Sequence, residues 1–228
     1  GLYYKQISDL IYNNTYRLID SAQAELVGAD YEYLGTNYQV SRNNDWEATL
    51  FGLEFDFQTN FHYLPRPLNG LVLNANFTYN DSETSYYGYI LRDTMIQDPN
   101  TGRFRPSKIS RDTSYVGPIL GMKKYIFNVS VGYEIGGFSA HVSYLYQSPS
   151  QNNRDPKDYL SIFSQSYSRV DIKARYKFDM GLEVFLNFNN ITQTGDITYR
   201  NTSRDNGYYT EQEEFYGMNM HLGLRYRL

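Results

Sequence analysis

Residues 216–228 read YGMNMHLGLRYRL, and the stretch divides by parity. Tyr216, Met218, Met220, Leu222, Leu224, Tyr226 and Leu228 fall on one side of a two-residue period, and Gly217, Asn219, His221, Gly223, Arg225 and Arg227 on the other. A helix repeats near 3.6 residues, so only an extended strand sorts such a sequence into an apolar face and a charged face. The stretch is also long enough for one tilted strand to cross a bilayer, which takes about 9–11 residues.

The same pattern recurs upstream. Val170, Ile172, Ala174, Tyr176 and Phe178 oppose Arg169, Asp171, Lys173, Arg175 and Lys177, and Tyr125, Phe127, Val129, Val131, Tyr133 and Ile135 oppose Lys124, Asn128, Ser130, Gly132 and Glu134. Residues 138–148, 182–192, 46–63 and 71–83 alternate likewise, while 1–12 is irregular. The predicted strands are therefore about 1–12, 46–63, 71–83, 121–135, 138–148, 166–178, 182–192 and 213–228, with no sustained helical period between them. This predicts an all-β fold of about eight strands, one β-barrel segment over residues 1–228.

Connector lengths set the expected topology. Short links at 64–70, 136–137 and 179–181 hold the Gly, Pro or Asn that tight reversals need, whereas 13–45, 81–120, 149–165 and 193–212 are long. Short and long alternate, so all short turns fall at one end of the strands, as in antiparallel up-and-down transmembrane barrels with periplasmic turns and extracellular loops. With Leu228 placed in the periplasm the parity closes throughout, and Tyr63, Tyr133, Ile135, Phe138, Tyr176, Phe178 and Tyr226 gather at the periplasmic interface. Leu224, Tyr226 and Leu228, on the apolar face of the terminal strand, form the expected membrane-insertion signal.

Composition narrows the function classes. The chain has 25 Tyr and 13 Phe among 228 residues, yet its mean hydropathy is −0.60, as expected when only alternate residues are apolar. No apolar run approaches the roughly 20 residues of a spanning helix. A net charge of −4 argues against a general nucleic-acid binder, which needs excess Lys and Arg. There is no Cys, and His62, His141 and His221 lie on three predicted strands without a partner at ligand spacing, so neither a metal site nor a cofactor is expected. No nucleophile elbow or phosphate loop is present, and no catalytic residue or enzymatic activity is predicted. Asp98-Pro-Asn-Thr-Gly102 lacks the later Glu of a calcium loop and reads as a turn.

Three groups of residues carry the resemblance to a family. Phe51-Gly52-Leu53-Glu54-Phe55 looks like its barrel-strand motif, Asn189-Asn190-Ile191-Thr192 like its penultimate-strand ending, and Tyr216-Gly217 with Gly223-Leu224-Arg225-Tyr226-Arg227-Leu228 like its closing strand. Together these resemble the carboxy-terminal part of a TonB-dependent outer-membrane receptor. Leu228 departs from the pattern, since the family usually ends on an aromatic residue.

The resemblance implies the last part of a 22-stranded barrel, in the outer membrane of a Gram-negative bacterium. It also implies partners: outer-membrane lipid, a plug domain and the remaining strands outside this chain, the TonB energy-coupling protein acting through an amino-terminal part, and a small-molecule ligand. The function implied is active uptake of a scarce nutrient of the siderophore, cofactor or glycan class. Two alternatives stay open: a complete eight-stranded outer-membrane barrel with a structural or adhesive role, and a soluble lipid-carrying barrel with its apolar face inward.

Two sets of candidate residues follow. Tyr86, Tyr87, Tyr89, Tyr208 and Tyr209 in the long connectors can stack on a ligand, and Arg103 and Arg105, with Lys108 and Arg111, can attract an anionic one; loop packing and a solvated face explain the same residues. Arg169, Asp171, Lys173, Arg175, Arg225 and Arg227 are expected to face the lumen and the plug, as acid-pairing groups or as a solvated wall.

Overall fold

The structure, a computed structural model, describes residues 1–17, 36–97, 101–153, 161–201 and 207–227. In chain order the strands are β1 (Leu2–Ile7), β2 (Ile11–Arg17), β3 (Asn37–Asn43), β4 (Ala48–Asn60), β5 (Leu71–Gln97), β6 (Phe104–Gly117), β7 (Tyr125–Ile135), β8 (Phe138–Gln147), β9 (Ser150–Asn153), β10 (Ile162–Ser164), β11 (Tyr167–Lys177), β12 (Leu182–Asn189), β13 (Asp196–Asn201), β14 (Tyr208–Glu214) and β15 (Asn219–Tyr226). Eight of them follow one path, β1-β4-β5-β7-β8-β11-β12-β15, in which sheet order equals chain order: an up-and-down meander. The path is not closed on itself among the described residues.

Register turns the parity of single strands into rows across the sheet. Leu73, Val131, Val142, Ile172, Phe188 and Met220 stand opposite one another on six successive antiparallel strands, and Ile135, Phe138, Tyr176, Val184 and Leu224 form a second row nearer the short turns. Many of these side chains are left open on the protein surface: Val131 is 51% exposed, Met220 58% and Leu224 72%. A continuous exposed apolar surface marks contact with something other than water. From Tyr125 to Ile135 β7 runs about 33 Å, or about 25 Å along the normal at a 40° tilt, the height of the apolar band on a transmembrane barrel.

The long connectors differ from the sequence expectation. Rather than loops they hold paired strands: β2 with β3, the outer part of β5 with β6, and β9, β10, β13 and β14 in a separate four-stranded sheet. Extended segments must pair their backbone N–H and C=O groups, and a hairpin that buries only a few of its side chains needs no sustained alternation of apolar and polar residues. The parity signal is therefore silent there although the strands exist. Two bounds also move. The predicted strand 1–12 breaks between β1 and β2, where Asp9 takes φ 55°, and the strand predicted from residue 213 starts only at Asn219, because Gly217 at φ 63° turns the chain and Tyr208–Glu214 pair as β14.

The chain divides into two compact units. The first comprises Gly1–Tyr4, Leu50–Asp81 and Leu120–Leu228, and the second Lys5–Thr49 and Ser82–Ile119. The second has a small buried centre of its own. Tyr86, 1% exposed, meets Tyr12 edge-on at 5.5 Å and Tyr115 at 5.7 Å, and donates its hydroxyl to the Pro118 carbonyl at 2.9 Å.

Candidate functional site

The polar face of the first unit is zoned along its strands. Toward the long connectors it carries amides and hydroxyls around a 270 Å³ concavity: the Asn76 amide donates to Asp56 at 3.4 Å and the Ser143 hydroxyl to Ser130 at 3.0 Å. Arg169 lines this zone with its Nη2 3.1 Å from Asp171, while its Nε is buried without a partner among the described residues. Toward the short turns a second concavity, of 360 Å³, is lined by charge: Glu134, His141, Lys173, Arg175, Glu183 and Arg225.

The zoning follows from register. β7 and β8 fold back at Gly136–Gly137, which brings Glu134 within 3.0 Å of His141 Nε2, and β12 lays Glu183 opposite β15 so that Arg225 lies 3.4 Å from it. The His141 ring lies flat over Gly132, where a Cβ would come within 2.3 Å of its Nδ1. Sequence spacing found no partner for His141; seven residues separate it from Glu134, and only the hairpin makes them neighbours. Arg169 pairs with Asp171 and Arg225 with Glu183, whereas Lys173 and Arg175, like Arg227, have no ion-pair partner among the described residues. Arg227 continues the chain beyond β15, its N–H donating to the Gly181 carbonyl at 3.1 Å.

Asn190 is the organiser that sequence reading left as a mere motif letter. It is 6% exposed with φ 54°. Its amide donates to the carbonyls of Thr194 at 3.0 Å and Gly217 at 3.1 Å, and its oxygen accepts from the Thr194 N–H at 3.0 Å and the Thr192 hydroxyl at 3.3 Å. Its own N–H donates to Asp171 at 2.8 Å. The side chain thus ties the end of β12 to the turn before β15, and the backbone N–H of the same residue ties it to β11.

The candidate ligand residues divide between the units. In the second, Tyr86 is a packing residue with no ring face left for a ligand, in contrast to the expectation for the long connector. Tyr87 is half-buried: its hydroxyl donates to Asp45, its ring meets Trp46 at 4.3 Å, and the Arg42 guanidinium sits 4.6 Å over it and 3.2 Å from Asp45. Neither Trp46 nor Arg42 was singled out in the sequence, because their proximity to Tyr87 needs the fold. Tyr89 stands in register with Asp112; its side chain, like those of Lys108 and Arg111, lies outside the described residues. Arg103 and Arg105 are exposed at the β5–β6 turn. In the Asp98–Gly102 segment, residues 98–100 lie outside the described residues.

In the first unit Tyr208 is 66% exposed and 5.2 Å from Tyr199, and Tyr209, 48% exposed, pairs in register with Arg200. A bulge between Thr198 and Tyr199 leaves Glu211 unpaired in the ladder and aims it at Arg200, whose Nη2 donates to it at 2.7 Å. That hydrogen bond holds the Glu211 carboxyl below its ordinary pKa. On β15, Leu224 and Tyr226 stand exposed on the apolar face, and Leu228 lies outside the described residues.

Among the described residues no group of three or more His, Cys, Asp or Glu side chains is placed to hold a metal ion, and no helix is long and apolar enough to cross a membrane. No curated protein and no solved structure matches the chain. A family model does: that described as TonB dependent receptor-like, beta-barrel, matches residues 1–191, a stretch that reaches Asn190 and Ile191 but stops short of β15. With most of its length so matched and its strands in an antiparallel meander with one apolar face, the chain belongs to the TonB-dependent receptor-like β-barrel family of outer-membrane proteins.

Proposed function

We propose that this chain forms part of the wall of an outer-membrane receptor in a Gram-negative bacterium, one that takes up a scarce nutrient of the siderophore, cofactor or glycan class with energy relayed by TonB. The observation that carries this reading is the register-aligned apolar band on one face of the sheet, backed by a polar face too charged for lipid. The apolar face meets lipid and the polar face lines the lumen, where water and a plug domain satisfy Arg169, Asp171, Arg225 and Arg227. The short turns lie in the periplasm. The paired hairpins lie outside the cell, and Tyr87, Arg103, Arg105, Tyr208 and Tyr209 present their side chains to the ligand.

This chain has no Cys, so single cysteines can be read at its own positions once any Cys elsewhere in the receptor is replaced. Single cysteines at Arg103, Val142 and Asp179, expressed in the intact receptor, are exposed to a membrane-impermeant maleimide on whole cells. Labelling is expected at 103 on whole cells, at 179 only after the outer membrane is opened, and at 142 in neither case. Rapid labelling at 142, or at 179 on whole cells, refutes the orientation. Arg225→Glu is further expected to loosen the plug, read as faster proteolysis of that domain.

A further inference from the structure

We infer that the charged zone of the polar face holds a binding site for a small dianion of the dicarboxylate or phosphate class, centred on Lys173 and Arg175. The inference rests on the reading that this face lines the lumen, and it adds a ligand to it. Lys173 has His141 beside it on β8 and Asn187 on β12, and Arg175 has Ser139 and Phe185, so neither has a carboxylate directly across a strand.

The two nearby acids are already engaged, Glu134 with His141 at 3.0 Å and Glu183 with Arg225 at 3.4 Å. Two cations on one strand face, two residues apart, stand about 7 Å from each other at their backbones. They open into a concavity of 360 Å³, which is large enough for a small organic molecule. The Asn187 amide, also lining it, adds a neutral donor.

Register explains why Lys173 and Arg175 have no ion-pair partner among the described residues. Arg225 meets Glu183 because β12 and β15 place them opposite each other, and Arg169 reaches Asp171 on its own strand. Lys173 and Arg175 are flanked by imidazole, hydroxyl, amide and phenyl groups instead. Paired oxygens of one anion can accept from both, and charge-assisted hydrogen bonds of this kind are shorter and about twice as strong as neutral ones.

The test is calorimetric titration of the receptor in detergent micelles with succinate, with inorganic phosphate and, separately, with an oligoglutamate peptide. Saturable binding of succinate or phosphate is expected, weakened about tenfold or more by Lys173→Gln and by Arg175→Gln, retained within a few-fold by Arg175→Lys, and unchanged by Arg66→Gln in the exposed turn between β4 and β5. Binding of only one small anion identifies which member of the class is held. No small-anion binding by the wild type, or equal binding by the Gln variants, overturns the inference. So does binding of the peptide alone, which assigns the cations to a protein partner. Mobility shift on heating in detergent shows whether each variant is folded. Loss of that shift in the wild type refutes the barrel reading itself, so the two failures are distinguishable.

Discussion

Replacing Asn190 separates two costs that coincide in one side chain. Asn190→Ala removes four side-chain hydrogen bonds and leaves the Thr194 and Gly217 carbonyls and the Thr194 N–H to find other partners at a site only 6% exposed. At about 1 kcal/mol net for each bond lost, this amounts to about 3–4 kcal/mol. Alanine must also hold φ 54°, a left-handed conformation costing about another 1 kcal/mol, which glycine avoids. The expected order of stability is wild type, then Asn190→Gly, then Asn190→Ala, with the two variants about 1 kcal/mol apart. Asn190→Asp keeps the acceptor and the tolerance of φ but sets a carboxylate oxygen against the Thr194 and Gly217 carbonyls at a nearly buried site, and should fall below Asn190→Gly. Urea titration of the barrel in detergent micelles, monitored by mobility on unheated gels, measures all four. If Asn190→Ala lies within about 1 kcal/mol of wild type, or Ala and Gly are indistinguishable, then Asn190 does not organise the turn as described.

Three further outcomes are expected. Val131→Arg places a charge in the middle of the apolar band and should destabilise the membrane-inserted barrel by about 2–4 kcal/mol in a lipid-vesicle unfolding titration, whereas Ser130→Arg, one residue away on the polar face, should cost far less. Gly132→Ala drives a methyl into the His141 ring; displacement of that ring should abolish the Glu134 contact, seen as a shift of the His141 resonances by NMR, and an unshifted His141 would contradict the packing. The Glu211 carboxyl titrates below its unfolded value, so its contribution to the β13–β14 pairing is present above the ordinary carboxylate range and lost as pH falls through the depressed folded pKa. Amide exchange in β13 and β14 should therefore quicken on acidification in the wild type, and be quick and less pH-dependent in Glu211→Gln.

The transmembrane strands were legible because lipid and water impose opposite demands on alternate residues. Leu222, Leu224 and Tyr226 against Arg225 and Arg227 report that demand directly. The outer hairpins were not legible for the same reason: in β5 beyond Asp81, Tyr86 and Tyr87 are adjacent, and neither parity class is consistently apolar. Their pairing is set by backbone hydrogen bonds, which leave no trace in side-chain pattern. At the candidate site, composition showed which charges would share a face, but not which would pair. Lys173, Arg175 and Arg225 read alike as letters, and only the register that sets Glu183 opposite Arg225 distinguishes them. Tyr86 and Tyr87 show the limit most plainly: neighbours in sequence and identical in type, one is sealed against Tyr12 and Tyr115 while the other lies beside Trp46.

That last contact makes the molecule its own reporter. Trp46 is the sole tryptophan among 228 residues, and it rests 4.3 Å from the ring of Tyr87, which in turn carries Arg42 on its face. Light absorbed by the many tyrosines has one indole to reach, and emission from that indole is sensitive to whether the phenol and the guanidinium remain in place. Any event that parts the outer portion of β5 from the segment before β4 thus changes a single optical signal of this chain, without a label.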